Sequence, residues 1–214
     1  MSRTKARRYR ELTHYPNVYQ GPSPLPLPEL FSKPQPLTLE LACGRGEYSN
    51  TLGALFPERN FLGIDIKGER LWQAARVSQA NNPTNVAFAR FGLDLLEHYL
   101  SAQSVAEIWL VHPDPQPGRA RQRLTHPKYL RKYFDLLPAQ GTFRLKTDDL
   151  GFFRYTLQTL PAWFTLEAVT EDLYASALLT EHFGIKTNFE TKALQKNKTI
   201  KYLRAHRKAS PPAT

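Results

Sequence analysis

The sequence is poor in three things. It has one cysteine, Cys43, in 214 residues, so no disulfide can close within the chain, and a lone thiol fits a reducing cytoplasm. No apolar run reaches the roughly 20 residues a membrane-spanning helix needs, and the basic start MSRTKARRYR lacks the apolar stretch of a signal peptide. Neither a membrane nor a metal is expected as a partner, because the histidines, His112 and His126 among them, show no ligand spacing and are given no role. Acidic residues are missing from three stretches: 1–10 with five Lys/Arg, 119–132 with six and 191–214 with seven. A solvated surface mixes the signs, whereas segregated positive charge fits a polyanion whose counterions it displaces. Basic termini alone would also serve as solubility tails; the internal cluster is the better signal.

What is present supports one globular unit. Hydrophobic residues make up 41% of the chain and the net charge is +10, enough apolar surface for a core without metal or disulfide. Seven of the 17 prolines fall in residues 16–36, which reads as an extended linker or a strap along a sheet edge, since proline fixes φ and lacks an N–H. The expected organisation is a solvated basic arm and Pro-rich linker over 1–36, a domain over 37–208 and a tail over 209–214.

Within the domain, short apolar runs at 37–42, 60–65, 86–90, 105–111 and 142–147 alternate with helical spacing at 47–56, 68–80, 93–100, 126–137 and 150–160. That alternation predicts an α/β fold with a doubly wound, mostly parallel sheet. Residues 163–169 and 199–205 predict an antiparallel pair at one edge. Loop and short helix are expected over 171–198.

The stretch LELACGRGEYSNTL, residues 39–52, reads strand, tight turn, helix. Gly44 and Gly46 permit close backbone approach to a ligand. A dinucleotide fingerprint would need a third glycine where Ser49 stands, which disfavours a nicotinamide dehydrogenase. Asp65, at the end of the second strand, can accept from both ribose hydroxyls of an adenosine, or can simply cap the next helix. Glu40 would repel a pyrophosphate but suits an ammonium. Adenosine with a cationic amino-acid tail describes S-adenosylmethionine. Gly92 and Asp94 follow the third strand, where such folds contact adenine, although Asp94 also reads as a helix N-cap.

With these residues the chain resembles the bacterial tRNA (guanine-N7)-methyltransferase family, from about Leu39 to Arg204. The matching motifs are Glu40-Leu-Ala-Cys-Gly-Arg-Gly-Glu47, Leu62-Gly-Ile-Asp65, His112-Pro-Asp-Pro115, Thr147-Asp148 and Thr187-Asn-Phe-Glu190. Three departures mark a divergent branch. Ala42 stands where a first glycine is usual, Gln116-Pro-Gly-Arg119 where the family has Trp and then Lys, and Asp94 is the nearest acid where the family often has an aspartate near Gly92; the His112 motif matches the family's Phe-Pro-Asp-Pro. The resemblance implies a class I S-adenosylmethionine-dependent fold, methylation of N7 of a guanine in tRNA (the variable-loop guanine), and Asp114 as the catalytic residue. Asp148, Thr187, Asn188 and Glu190 would line the guanine pocket. Phe189 would stack on the base or fill core, the core reading being favoured. Arg119, with Arg121 and Arg123, would take over the missing lysine's place on phosphate, extended by the 192–208 segment. Trp109 reads as core. The rival readings are a catalytically weak RNA-binding protein of the same fold, or a methyltransferase for another RNA base or a small molecule. Nothing in the sequence sets the oligomeric state.

Overall fold

The computed structural model describes residues 3–81 and 83–212, with side chains from Ala6 onward. Two compact units divide the chain, 1–101 and 102–214.

In the first unit the elements are α1 (Arg3–Leu12), β1 (Val18–Tyr19), α2 (Leu27–Leu30), β2 (Leu37–Leu41), α3 (Glu47–Leu55), β3 (Asn60–Ile64), α4 (Gly68–Asn81), β4 (Val86–Ala89) and α5 (Leu96–Tyr99). The strands run parallel in the order β1-β4-β3-β2. Strands β2, β3 and β4 are buried at every position, which is why they read as continuous apolar runs rather than as an alternating pattern.

Ahead of β2 the structure departs from the solvated arm and from a core beginning at Leu37. The segment RTKARRYREL is helical, and Leu12 is fully buried. Glu11 accepts from Trp72 Nε1 at 2.8 Å, and Arg8 donates to Glu69 and lies over the Trp72 ring. Arg8 thus has an aromatic and an acidic partner on α4, and Arg7 pairs with Glu11 within α1. The Pro-rich stretch runs along the sheet edge: Leu25 N donates to Tyr99 O and Tyr99 Oη to Gly21 O. It also contains one helical turn, α2, where no helix was expected; Pro28 falls in its first turn, where a missing N–H costs nothing.

The second unit holds β5 (Glu107–Val111), α6 (Pro127–Leu136), β6 (Thr142–Thr147), α7 (Leu150–Thr159), β7 (Phe164–Thr170), α8 (Asn188–Leu194) and β8 (Lys201–Arg207). Here the order is β5-β6-β8-β7, with β5 and β6 parallel and β8 antiparallel to both of its neighbours. The expected antiparallel edge pair is β7–β8, with a bulge at Leu166/Ala168. Trp109 is core, 1% exposed. Between β7 and β8 lie a 3-10 segment, Ala177–His182, and α8, as the weak patterning of 171–198 implied. Among the described residues no helix is long and apolar enough to cross a membrane.

Candidate active site

The first unit carries a cradle at the C-terminal ends of its parallel strands. After β2 the chain turns through Ala42, Gly44 and Gly46, all at positive φ. A Cβ on Gly46 would lie 2.6 Å from Phe88 and 2.9 Å from Ala74, so only glycine fits, whereas Gly44 faces open space. Ala42 sits at φ 54, which explains why a glycine is usual there: a left-handed alanine costs about 1–2 kcal/mol.

Asp65 closes this turn from the end of β3. Its Oδ2 accepts from Gly44 N at 2.9 Å and its Oδ1 from Lys67 N at 2.8 Å. The two readings of Asp65, loop ligand and cap, therefore describe one carboxylate: it fixes both backbone segments and keeps lone pairs for hydroxyl donors. Beside it Ile66 is 59% exposed, an apolar face next to Gly92. Asp94 is not the N-cap. Gly92 precedes the 3-10 turn Leu93–Leu95, and Asp94 lies exposed within it.

Glu40 is differently occupied than its charge implied. It is buried, and Oε2 accepts from Ser49 N at 2.8 Å and Ser49 Oγ at 2.6 Å. Ser49 thus uses the place of a third glycine to tie α3 to β2. Burial pushes the Glu40 carboxyl up to about 7, against the pull of Ser49. A glycine facing open space, a ribose-suited carboxylate and an apolar shelf fit an adenosine, and a Glu40 whose donors are the neutral amide and hydroxyl of Ser49 fits an ammonium.

In the second unit Asp114 follows β5 and is exposed. The turn around it holds two non-glycine residues at positive φ, His112 and Gln116, both at 45. Asp114 Oδ1 accepts from Gln116 N at 3.2 Å, and Arg123 Nε donates to Pro115 O at 3.1 Å while its guanidinium lies over Tyr155. Arg123 therefore braces the loop, a correction to its place in a phosphate grip. Arg119 and Arg121 are exposed.

His112, given no role from sequence, is the hub of a buried charge cluster. Its Nδ1 is 3.4 Å from Asp148 Oδ1 and its Nε2 is 3.7 Å from Glu190 Oε2, with the ring 4% exposed. Lys146 Nζ lies 2.6 Å from the same Glu190 oxygen and donates to Ile185 O. Tyr174 Oη donates to Glu190 Oε1, and Lys198 Nζ to Asp148 Oδ2 at 2.7 Å. Although burial raises a carboxyl, these donors hold Glu190 at about 2. The signal available in the sequence was a histidine in the slot of a family phenylalanine, opposite two carboxylate motifs.

The Thr-x-Phe-Glu motif resolves into a helix start. Thr187 Oγ1 accepts from Glu190 N at 3.2 Å and caps α8. Asn188 opens that helix. Phe189 is 59% exposed, so the core reading fails and its ring is free to meet a base. His126, also without an assigned role, caps α6 through Nδ1. The 191–214 cations split: Lys192, Lys196 and Lys198 are exposed, while Lys201 is buried, Arg204 pairs with Glu167 and Glu181, and Arg207 packs on Phe134.

A family described as "Putative methyltransferase" matches residues 34–203. The chain is 37% identical over 216 residues to the tRNA (guanine-N(7)-)-methyltransferase of Bacteroides thetaiotaomicron, covering 95% of this chain and 86% of that one. It belongs to the tRNA (guanine-N7)-methyltransferase family. A second member of this family, from Cytophaga hutchinsonii, is 41% identical over 182 residues, 82% of each chain. Among solved structures the 16S rRNA methyltransferase KamB shares the fold at a TM-score of 0.65 and 13% identity, over 85% of this chain and 92% of that one. The methyltransferase family assignment and the S-adenosylmethionine-dependent fold class expected from sequence both stand.

Proposed function

We propose that this chain transfers a methyl group to N7 of a guanine in tRNA, in the cytoplasm, with the variable-loop guanine as acceptor. In this reading residues 37–208 carry the chemistry and residues 1–36 brace the cofactor side. S-adenosylmethionine, when bound, supplies an electrophilic methyl on a sulfonium. Asp65 would hold its ribose, Gly44 and Gly46 its backbone-facing edge, Ile66, Gly92 and Asp94 its adenine side, and Glu40 its ammonium.

Guanine N7 bears a lone pair and no proton, so no base need strip the attacking atom. The protein's task is placement, and stabilisation of the positive charge that grows on the purine. The observation that carries the reading is Asp114: an exposed carboxylate at the C-terminal end of β5, in a turn held by Gln116 N and Arg123. A carboxylate there accepts the N1–H and amino protons that the charged ring makes more acidic. The base must leave its stack to reach such a site. Phe189 offers a stacking face, Asp148 and Asn188 polar contacts, and Arg119, Arg121, Lys192 and Lys196 phosphate contacts. Thr187 and Glu190 act behind this surface, as cap and buried anchor.

Incubating the protein with labelled S-adenosylmethionine and unmodified tRNA transcripts, then digesting to nucleosides, should yield 7-methylguanosine. Asp114→Ala should cut that yield per unit time by about 10²–10³-fold while leaving donor affinity within a few-fold. Label in another nucleoside, or a fully active Asp114→Ala protein, would sink the reading.

A further inference from the structure

Four charged groups surround His112: Asp148 and Glu190, whose carboxyls are held low, Lys198, and Lys146, which burial draws down to about 8 against the pull of Glu190. Asp148 comes from the end of β6, Glu190 from α8, Lys146 from within β6 and Lys198 from the approach to β8. Tyr174, His182 and Lys186 stand behind the Lys146–Glu190 pair. The imidazole faces a carboxylate with each nitrogen. A neutral ring has one N–H, so one of its two nitrogens must then present a lone pair to an anion; only the protonated ring donates on both sides. His112 Nε2 is buried and makes no hydrogen bond at its 3.7 Å separation from Glu190, so nothing else satisfies that side of the ring.

The backbone at His112 is also committed. It lies in the left-handed region at φ 45, its N–H donates to Lys146 O at 2.7 Å, and the next residues are buried Pro113 and exposed Asp114. A side chain pinned from two directions is what keeps such a conformation populated. We propose that His112, protonated and held between Asp148 and Glu190, is a positioning residue that fixes the turn presenting Asp114 to the acceptor base. This rests on the methyl-transfer reading above. His112 does not touch the reacting atoms; it acts through the backbone it anchors. Burial works against the imidazolium, but the bond to Asp148 and the negative charge of Glu190 outweigh it and raise the pKa above 6.5. The clamp is therefore complete below 6.5 and is lost as pH rises through the raised value.

Single-turnover methyl transfer at saturating donor and tRNA, followed from about pH 6 to about pH 9, should show the wild-type rate falling as His112 deprotonates. His112→Gln should be slower at the acid end by roughly tenfold, the scale of one lost charge-assisted hydrogen bond, and should lose that pH step, with donor affinity unchanged. A His112→Gln profile parallel to wild type overturns the proposal. An NMR titration of the wild-type ring needs neither folding of that variant nor any acceptor. The His112 pKa should lie above the ordinary value and drop in Glu190→Gln; a ring titrating normally, or indifferent to Glu190→Gln, overturns the clamp. Failure of the wild type to form 7-methylguanosine would instead strike the methyl-transfer reading, and the titration would still decide the clamp.

Discussion

Two buried glutamates, one in each unit, are driven in opposite directions. Glu40 and Glu190 are comparably enclosed, 5% and 0% exposed. Among the described residues Glu40 accepts from neutral donors, the amide and hydroxyl of Ser49, and burial lifts its carboxyl to about 7. Glu190 is buried too, yet Lys146, His112 and Tyr174 hold it at about 2. Burial alone does not set the charge of a carboxylate; the charge of its donors does. Among the described residues no cation pairs with Glu40, and in the proposed function the donor's ammonium would supply one. The second unit has completed its own charge balance internally and leaves Asp114 outside it.

The largest effect that tests this contrast is on stability. Lys146→Met should leave Glu190 without its closest cation in a dry site and cost about 3–5 kcal/mol, read as a lower midpoint in urea. Glu40→Gln, which keeps the Ser49 contacts in neutral form, should cost far less. The pH dependence separates them further. A carboxyl whose folded pKa is raised destabilises the fold as pH climbs from its unfolded value, 4.5, through about 7. Stability of the wild type should decline across that window, and Glu40→Gln should remove that decline. Equal losses in the two variants would erase the comparison.

Next in size is donor binding. Asp65→Ala removes a carboxylate that fixes Gly44 and Lys67 and should cost roughly 1.5–3 kcal/mol, or about tenfold or more in affinity, by calorimetry. Because Glu40 is near half-protonated at neutral pH, an ammonium placed against it should release a proton. The apparent binding enthalpy at pH 7 should then vary with the ionisation enthalpy of the buffer. An enthalpy independent of buffer would take the ammonium away from Glu40.

Strands β2 to β6 were legible because each is a short run carrying apolar residues between helical segments, whereas the two-residue β1 was not, and the glycine turn was legible because its motif lies within one stretch of chain. The His112 cluster was not legible, because its members come from β6, α8 and two loops, and its one local sign, a histidine in the slot of a family phenylalanine, names no partner. The terminal helix was missed for a related reason. The segment RTKARRYREL has little apolar content, and its stability comes from Trp72 and Glu69, some 60 residues away. Charge counting erred in the opposite sense: it credited Lys201, Arg204 and Arg207 to a surface track, while the fold spends them on carbonyls, carboxylates and an aromatic ring.

The smallest expected effect separates surface cations from spent ones. Arg119 and Arg121 are exposed, whereas Arg123 is bonded to Pro115 O and stacked on Tyr155. If the exposed pair meets phosphate, replacing both with glutamine should flatten the plot of log tRNA affinity against log salt. Each lost contact lowers the slope by roughly 0.7–0.9. Arg123→Gln should leave that slope near wild type and instead slow methyl transfer, because it frees the loop that carries Asp114. Filter binding across a salt series, run beside the rate assay, distinguishes the two. Parallel salt lines for wild type and the double variant would move the phosphate contacts to Lys192 and Lys196. A full slope loss in Arg123→Gln would mean that its guanidinium leaves Pro115 for the RNA, and that the loop is held by something other than the bond seen here.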